Sequence, residues 1–144
     1  MFNISEKFLI TKVSNGASAG TSAVNSTAVK MDGYDGVLFI CDLGIVVDAS
    51  VMTATAQQGA ASDGSDATAI TGGATSSVTA STSSNGYFLV DVQKPTGRYV
   101  RLNFTRTAQN ATVNSIYAVR YNAKNAPVSQ SDTALLASKV LVGQ

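Results

Sequence analysis

Apolar and polar residues alternate along this chain with a period of two, the period of a β-strand with one buried face. In residues 99–105, YVRLNFT, the side chains of Val100, Leu102 and Phe104 point one way and the more polar ones point the other. Six further segments are short and rich in β-branched or aromatic residues: 7–13, 22–31, 37–43, 50–56, 87–92 and 116–121. The pattern predicts a series of short strands.

Residues that favour turns separate these segments at strand-like spacing: Asn15-Gly16, Asp32-Gly33, Asp35-Gly36, Asp63-Gly64, Asn85-Gly86 and Pro95-Thr96-Gly97. Many short strands with almost no helical periodicity predict an all-β fold. We expect a jelly-roll-like antiparallel β-sandwich with extended terminal segments. Residues 1–20 would form an N-terminal arm and the first strand, residues 21–125 the sandwich, and residues 126–144 a C-terminal arm or short helix.

Residues 37–43, VLFICDL, are apolar on both faces, which predicts a central strand that is covered on both sides. Cys41 lies inside this segment and is the single cysteine of the chain, so an internal disulfide or a cysteine metal cluster is impossible. We expect Cys41 to be a buried small hydrophobic residue rather than a reactive thiol.

Residues 63–86 contain few large apolar side chains, only Ile70 and Val78. The stretch could be a flexible insertion or a folded part of the sandwich. Alternation in residues 68–71 and 77–82, together with a high threonine content, favours two short, weak strands at an edge or under a loop.

Residues 131–143, SDTALLASKVLVG, are the one segment with helical spacing. Ser131 or Asp132 could cap a short helix there, and Gly143 could end it. An extended arm is the alternative.

Composition narrows the possible partners. Charged residues are 13% of the chain, compared with roughly 25% in an average domain, and the net charge is +1. A near-zero net charge argues against nucleic acid, and no apolar segment is long enough to span a membrane. Glu6 and Lys7 interrupt the region that a signal peptide would need, so we expect synthesis in the cytoplasm.

The few charges are segregated along the chain. Residues 31–91 hold seven Asp and no Lys or Arg, whereas residues 92–131 hold six Lys or Arg and no acid. The two regions could pair within the fold, or they could form opposed faces that meet neighbouring subunits of opposite charge.

The side chain that most often transfers protons near neutral pH, histidine, is missing from the chain. Its absence excludes a Ser-His-Asp or Cys-His arrangement and histidine-based metal or haem sites. No glycine-rich loop carries the lysine of a phosphate-binding motif. Asp63 and Asp66 could bind calcium, although an exposed turn needs the same residues. We therefore expect no enzyme activity, no cofactor and no metal.

Three stretches carry a resemblance to a known group of proteins: MDGYDGVLFICDLGIVVDASVMTATAQQGAASDGSDAT (31–68), GYFLVDVQKPTGRYVRLNFTR (86–106) and YAVRYNAKNAP (117–127). Over roughly residues 20–127 the chain resembles the small decoration, or cement, proteins of tailed-bacteriophage heads. The resemblance implies a jelly roll that binds the outside of the capsid as a dimer or trimer and braces neighbouring major capsid proteins. It implies a virion location and supplies no catalytic residue.

A protein of that kind acts through its contact surface. The terminal segments and the basic region supply the candidate contact residues: Phe2, Ile4, Phe8, Ile10, Arg98, Arg101, Arg106, Leu135, Leu136, Val140 and Leu141. The alternative for both terminal segments is that they cap the core of the sandwich.

Two other classes of function stay open at this stage. The chain could be a carbohydrate- or host-surface-binding module of a phage fibre or tail, which would show an exposed aromatic groove or bound calcium. A hydrolase would require a pair of Asp residues with shifted pKa values in a cleft.

Overall fold

A computed structural model describes residues 3–81 and 84–141 of the chain. Within these residues the chain forms a short 3₁₀-helix and eleven strands, and no α-helix. The elements are the 3₁₀-helix (Ile4–Glu6), β1 (Leu9–Ser14), β2 (Ala17–Gly20), β3 (Val24–Asn25), β4 (Val29–Lys30), β5 (Gly36–Val46), β6 (Val51–Gly59), β7 (Thr68–Ala74), β8 (Val78–Thr79), β9 (Tyr87–Gln93), β10 (Tyr99–Thr107) and β11 (Ala111–Tyr121).

The strands form two antiparallel sheets that pack face to face. Sheet A has the order β1-β11-β5-β9, with β2 also paired to β11. Sheet B has the order β3-β10-β6-β7, with β4 also on β10 and β8 also on β6. Strands from the start of the chain pair with strands from its end, and each pair encloses the next along the sequence. The first pair is β1 with β11, then β3 and β4 with β10, then β5 with β9, and the innermost pair is β6 with β7. This is a long hairpin wrapped into two sheets, the jelly-roll arrangement, so the predicted fold class is confirmed.

The core lies between the two sheets and follows the alternation of the sequence. Val100, Leu102 and Phe104 of β10 are completely buried, as their spacing predicts. They face the inner side of β5, where Phe39 is also fully buried. The rings of Phe88 and Phe104 meet edge to face, with centroids 5.3 Å apart, and so join the two sheets.

Cys41 belongs to this core and is fully buried. Burial raises the pKa of its thiol to about 12, so the group stays neutral at physiological pH. The prediction that Cys41 is a buried small hydrophobic residue is confirmed.

The serine- and threonine-rich stretch is folded. β7 and β8 both lie within it, and both pair with β6 at the edge of sheet B. The prediction of two short strands at an edge is confirmed for these residues, while Thr82, at the end of the second predicted segment, lies outside the described residues.

Of the two alternatives for the C-terminal segment, the described residues show the extended arm and not the short helix. Residues 122–141 contain no helix or strand. Asp132 does begin a single turn, because its side chain accepts the N–H of Ala134 and its backbone carbonyl accepts the N–H of Leu135. The turn stops there, since Leu135 and Leu136 are exposed and no apolar face is buried to stabilise a helix. Gly143, the predicted helix end, lies outside the described residues.

Candidate binding surface

The outer side of sheet A, which faces away from sheet B, carries a group of apolar side chains. Register places Ile10, Val119 and Leu38 side by side on β1, β11 and β5. Tyr117, Ile40 and Leu89 form the next row on β11, β5 and β9. We call this surface the outer face and define it as Ile10, Leu38, Ile40, Leu89, Tyr117 and Val119.

The outer face is open to solvent in part. Leu89 is 50% exposed and Ile10 is 40% exposed, whereas Leu38, Ile40 and Val119 are half-buried beneath their neighbours. The prediction that β5 is covered on both sides is therefore wrong for its outer side. Sheet B covers the inner side, and among the described residues no second sheet covers the other. An apolar surface of this kind marks an interaction site more often than a free surface.

The first and last described segments of the chain meet beside the outer face. Leu9 of β1 pairs with Arg120 near the end of β11, so the segment before β1 and the segment after β11 leave the sheet at the same end. The N–H of Val128 donates to the carbonyl of Glu6 at 2.6 Å. The side-chain N–H of Asn3 donates to the carbonyl of Leu141 at 3.1 Å. First and last strands are neighbours in a jelly roll, and this topology brings the termini together.

The terminal segments form walls on both sides of the outer face. A groove of about 340 Å³ lies between the sheet and the C-terminal segment, lined by Ile10, Tyr117, Leu135 and Leu136 among others. A second groove of about 500 Å³ is lined by Ile4, Phe8, Ile10, Leu38, Asp91, Val119 and Tyr121. Four residues of the outer face, Ile10, Leu38, Tyr117 and Val119, thus form the floor of an apolar trough, and Ile40 and Leu89 continue the outer face beside it.

Several predicted contact residues lie in this trough. Ile4, Phe8, Ile10, Leu135 and Leu136 come from opposite ends of the sequence and line its two grooves. Val140 and Leu141 are exposed in the C-terminal segment. Phe2 lies outside the described residues. Sequence reasoning missed Leu38, Ile40 and Leu89, although a second apolar face along β5 and β9 was the available signal.

Arg98 lies in the loop before β10 and Arg101 lies on β10 of sheet B, and neither residue lines the two grooves of the trough. Arg98 forms an ion pair with Asp32 at 2.9 Å, and this contact holds the pKa of the Asp32 carboxyl below its usual value. Arg101 donates to the side-chain carbonyl of Gln57 at 2.8 Å. The ion pair between Arg98 and Asp32 is one case of pairing between the acidic and basic regions within the fold.

Arg106 is a correction to the predicted contact residues, because its side chain is only 5% exposed. Its guanidinium donates to the carbonyls of Ser22 and Ser18, both at 2.7 Å, and to the carbonyl of Ala111. Burial lowers the pKa of Arg106. Arg106, on β10 of sheet B, is therefore a structural cation that binds backbone carbonyls of β2 and β11 in sheet A and of the loop between β2 and β3, and it offers no charge to a partner.

Asp63 and Asp66 act as turn residues. Asp66 accepts the backbone N–H groups of Ala60 and Ala61, at 2.9 and 3.0 Å, and these contacts lower the pKa of its carboxyl. Asp63 accepts the N–H of Ser65 at 2.9 Å, which lowers its pKa in the same way. Across residues 3–81 and 84–141, no group of three or more His, Cys, Asp or Glu side chains is placed to hold a metal ion.

The part of the chain that the structure describes has no helix with the length and apolar character needed to cross a membrane. No protein-family model matches the sequence, and no curated protein is significantly similar to it.

Proposed function

We propose that this protein is a structural virion protein that binds the outside of a bacteriophage capsid and cements neighbouring major capsid proteins. The observation that carries the proposal is the apolar trough on sheet A, formed by the outer face and the two terminal segments. The resemblance of residues 20–127 to head decoration proteins supplies the class of partner. We assign the trough as the surface that contacts the capsid.

The energetics favour a binding mode with many copies. Burying a Leu or Ile side chain completely contributes about 1.5–3 kcal/mol, so six half-covered side chains supply on the order of 5 kcal/mol. Association alone costs about 4–15 kcal/mol of translational and rotational freedom. One trough therefore binds weakly by itself, and stable attachment needs linked copies that engage several equivalent sites at once.

A rigid sandwich suits such a task. Its two sheets share one buried core, so the outer face of sheet A keeps its shape without a partner. Bound copies stabilise an assembled shell by mass action, because they bind the shell and not its separated subunits.

Co-sedimentation with mature capsids tests the proposal. We expect the purified protein to sediment with capsids in fixed stoichiometry, and capsids that lack it to break at lower temperature. Absence of binding, together with unchanged capsid stability, would overturn the proposal. A response on a glycan array would instead favour a host-surface-binding module, for which Tyr87, 66% exposed, is the most accessible aromatic side chain among the described residues.

A further inference from the structure

β1 is the end strand of sheet A, and among the described residues it pairs with β11 and with no other strand. The free side of an end strand carries unpaired backbone groups that readily pair with another chain. Here the N–H of Ile10 donates to Oε1 of Gln130 at 3.1 Å, and the N–H of Lys12 donates to Oδ2 of Asp132 at 2.7 Å. Two side chains, rather than a strand, accept the N–H groups of Ile10 and Lys12 at this edge.

The C-terminal segment that carries these side chains runs beside β1 with a fixed register. Residues 10 and 12 bond to residues 130 and 132, with the same spacing and in the same direction. Side chains two apart on an extended chain point the same way, about 6.6–6.8 Å apart. The C-terminal segment therefore runs parallel to β1 at the distance of one side chain. We call residues 128–141 the C-terminal arm.

The C-terminal arm is held mainly by polar contacts. Gln130 also donates to the carbonyls of Ser5 and Phe8. By contrast, Leu136 is 96% exposed and Leu141 is 65% exposed. Ordering a segment costs conformational entropy, and an arm that buries little apolar surface offsets that cost only weakly. The arm can therefore leave its own β1 edge at low cost.

We propose that the C-terminal arm is exchanged between copies of this chain, so that the arm of one copy binds the β1 edge of a neighbour. The β1 edge is already complementary to this arm, and the same hydrogen bonds form whichever copy donates it, which is the condition for low-cost exchange of an element. Residues 122–127, which lie in no strand, link β11 to the arm and can span about 20 Å when extended. Exchange keeps the contacts of the arm and adds the surface that two copies bury where their edges meet.

The proposal concerns the purified chain of 144 residues and does not depend on a capsid. Asn15 and Ser138 are exposed and line the same groove, one beside β1 and one on the arm. One population carries Asn15→Cys, and an isotope-labelled population carries Ser138→Cys. The two are mixed, treated with a short thiol crosslinker and examined by mass spectrometry. Cys41 does not interfere because it is buried and its thiol is neutral.

Arm exchange predicts crosslinks between the two populations. Adding Gln130→Ala and Asp132→Ala to the arm population should reduce these crosslinks about tenfold or more, because the edge contacts are lost. Ser129→Ala and Ser131→Ala are the matched control, since both residues are exposed and alternate with the anchoring pair. This control should leave the yield unchanged.

A single chain that carries both Asn15→Cys and Ser138→Cys is treated with the same crosslinker as a control. Crosslinking within this chain shows whether the two positions lie close enough to react. The proposal is overturned if crosslinks form only within that chain, at concentrations where sedimentation shows dimers or larger species. It is equally overturned if the protein stays monomeric, or if loss of Gln130 and Asp132 leaves crosslinking between copies unchanged.

Discussion

Replacing Arg106 with Met gives the sharpest test of how the sandwich is held together. Arg106→Met keeps the length of the side chain and removes every donor, so three carbonyl oxygens lose their partner. A hydrogen bond from a charged donor contributes about 1.5–3 kcal/mol, and an unsatisfied buried acceptor costs about 1–3 kcal/mol. Ser18 and Ser22 lie in exposed backbone where water can replace part of the loss. We therefore expect the substitution to cost about 3 kcal/mol in the free energy of unfolding.

Arg101→Met is the matched control because Arg101 lies on the same strand and points to the outer side of sheet B. It loses one hydrogen bond, to Gln57, from a partly exposed side chain. We expect a cost below about 1 kcal/mol. Urea unfolding followed by circular dichroism measures both values, provided that the slope of the transition stays constant. At this size, a cost of 3 kcal/mol corresponds to a fall of about 6–12 °C in Tm.

Equal stability of Arg106→Met and Arg101→Met would refute the structural role of Arg106. The sequence-based prediction of Arg106 as a contact residue would then stay open.

Three further predictions follow from single positions. Gly36→Ala should destabilise the fold by about 1–3 kcal/mol in thermal unfolding, because a Cβ there would overlap the ring of Tyr121. Asp66 has a lowered pKa, so its contribution is present above its unfolded pKa of 3.8 and is lost as the pH falls through the lower folded value. Unfolding measured below pH 4 should therefore show a weaker acid dependence in Asp66→Asn than in the natural chain, and identical profiles would contradict this. Cys41 should react with a maleimide only after unfolding, and rapid labelling of the native protein would contradict its burial.

The fold could be predicted from the sequence because two sheets with one shared core impose a period of two on nearly every strand. In β10 the alternation even extends to Arg106, which shares the inward side with Leu102 and Phe104. Ending the predicted strand at Thr105 hid this signal. A buried arginine also contradicts the general preference of charged residues for the surface, and here three backbone carbonyls override that preference.

The candidate binding surface follows only in part from the sequence. The terminal residues Ile4, Phe8, Leu135 and Leu136 were chosen for their apolar character, and their convergence depends on the pairing of β1 with β11. That pairing joins residues more than a hundred positions apart, so no local pattern reveals it. The sequence leaves the choice between a C-terminal helix and an extended arm open for a related reason. Gln130 and Asp132 bond to the edge of β1, and this distant contact determines the path of the segment.

The central claim is that the outer face of sheet A is the surface that binds the capsid. Leu89→Glu places a charge on the outer face at an exposed position of edge strand β9, and Ala69→Glu places the same charge at an exposed position of edge strand β7 in sheet B. Both variants should unfold at nearly the natural Tm, since neither position is buried.

The deciding measurement is the dissociation constant of each variant for mature capsids lacking this protein, obtained by co-sedimentation. We predict that Leu89→Glu weakens binding about tenfold or more, because a charge must be desolvated in the contact, while Ala69→Glu binds like the natural chain. Natural affinity for Leu89→Glu, or loss of binding for Ala69→Glu alone, would contradict the assignment of the outer face.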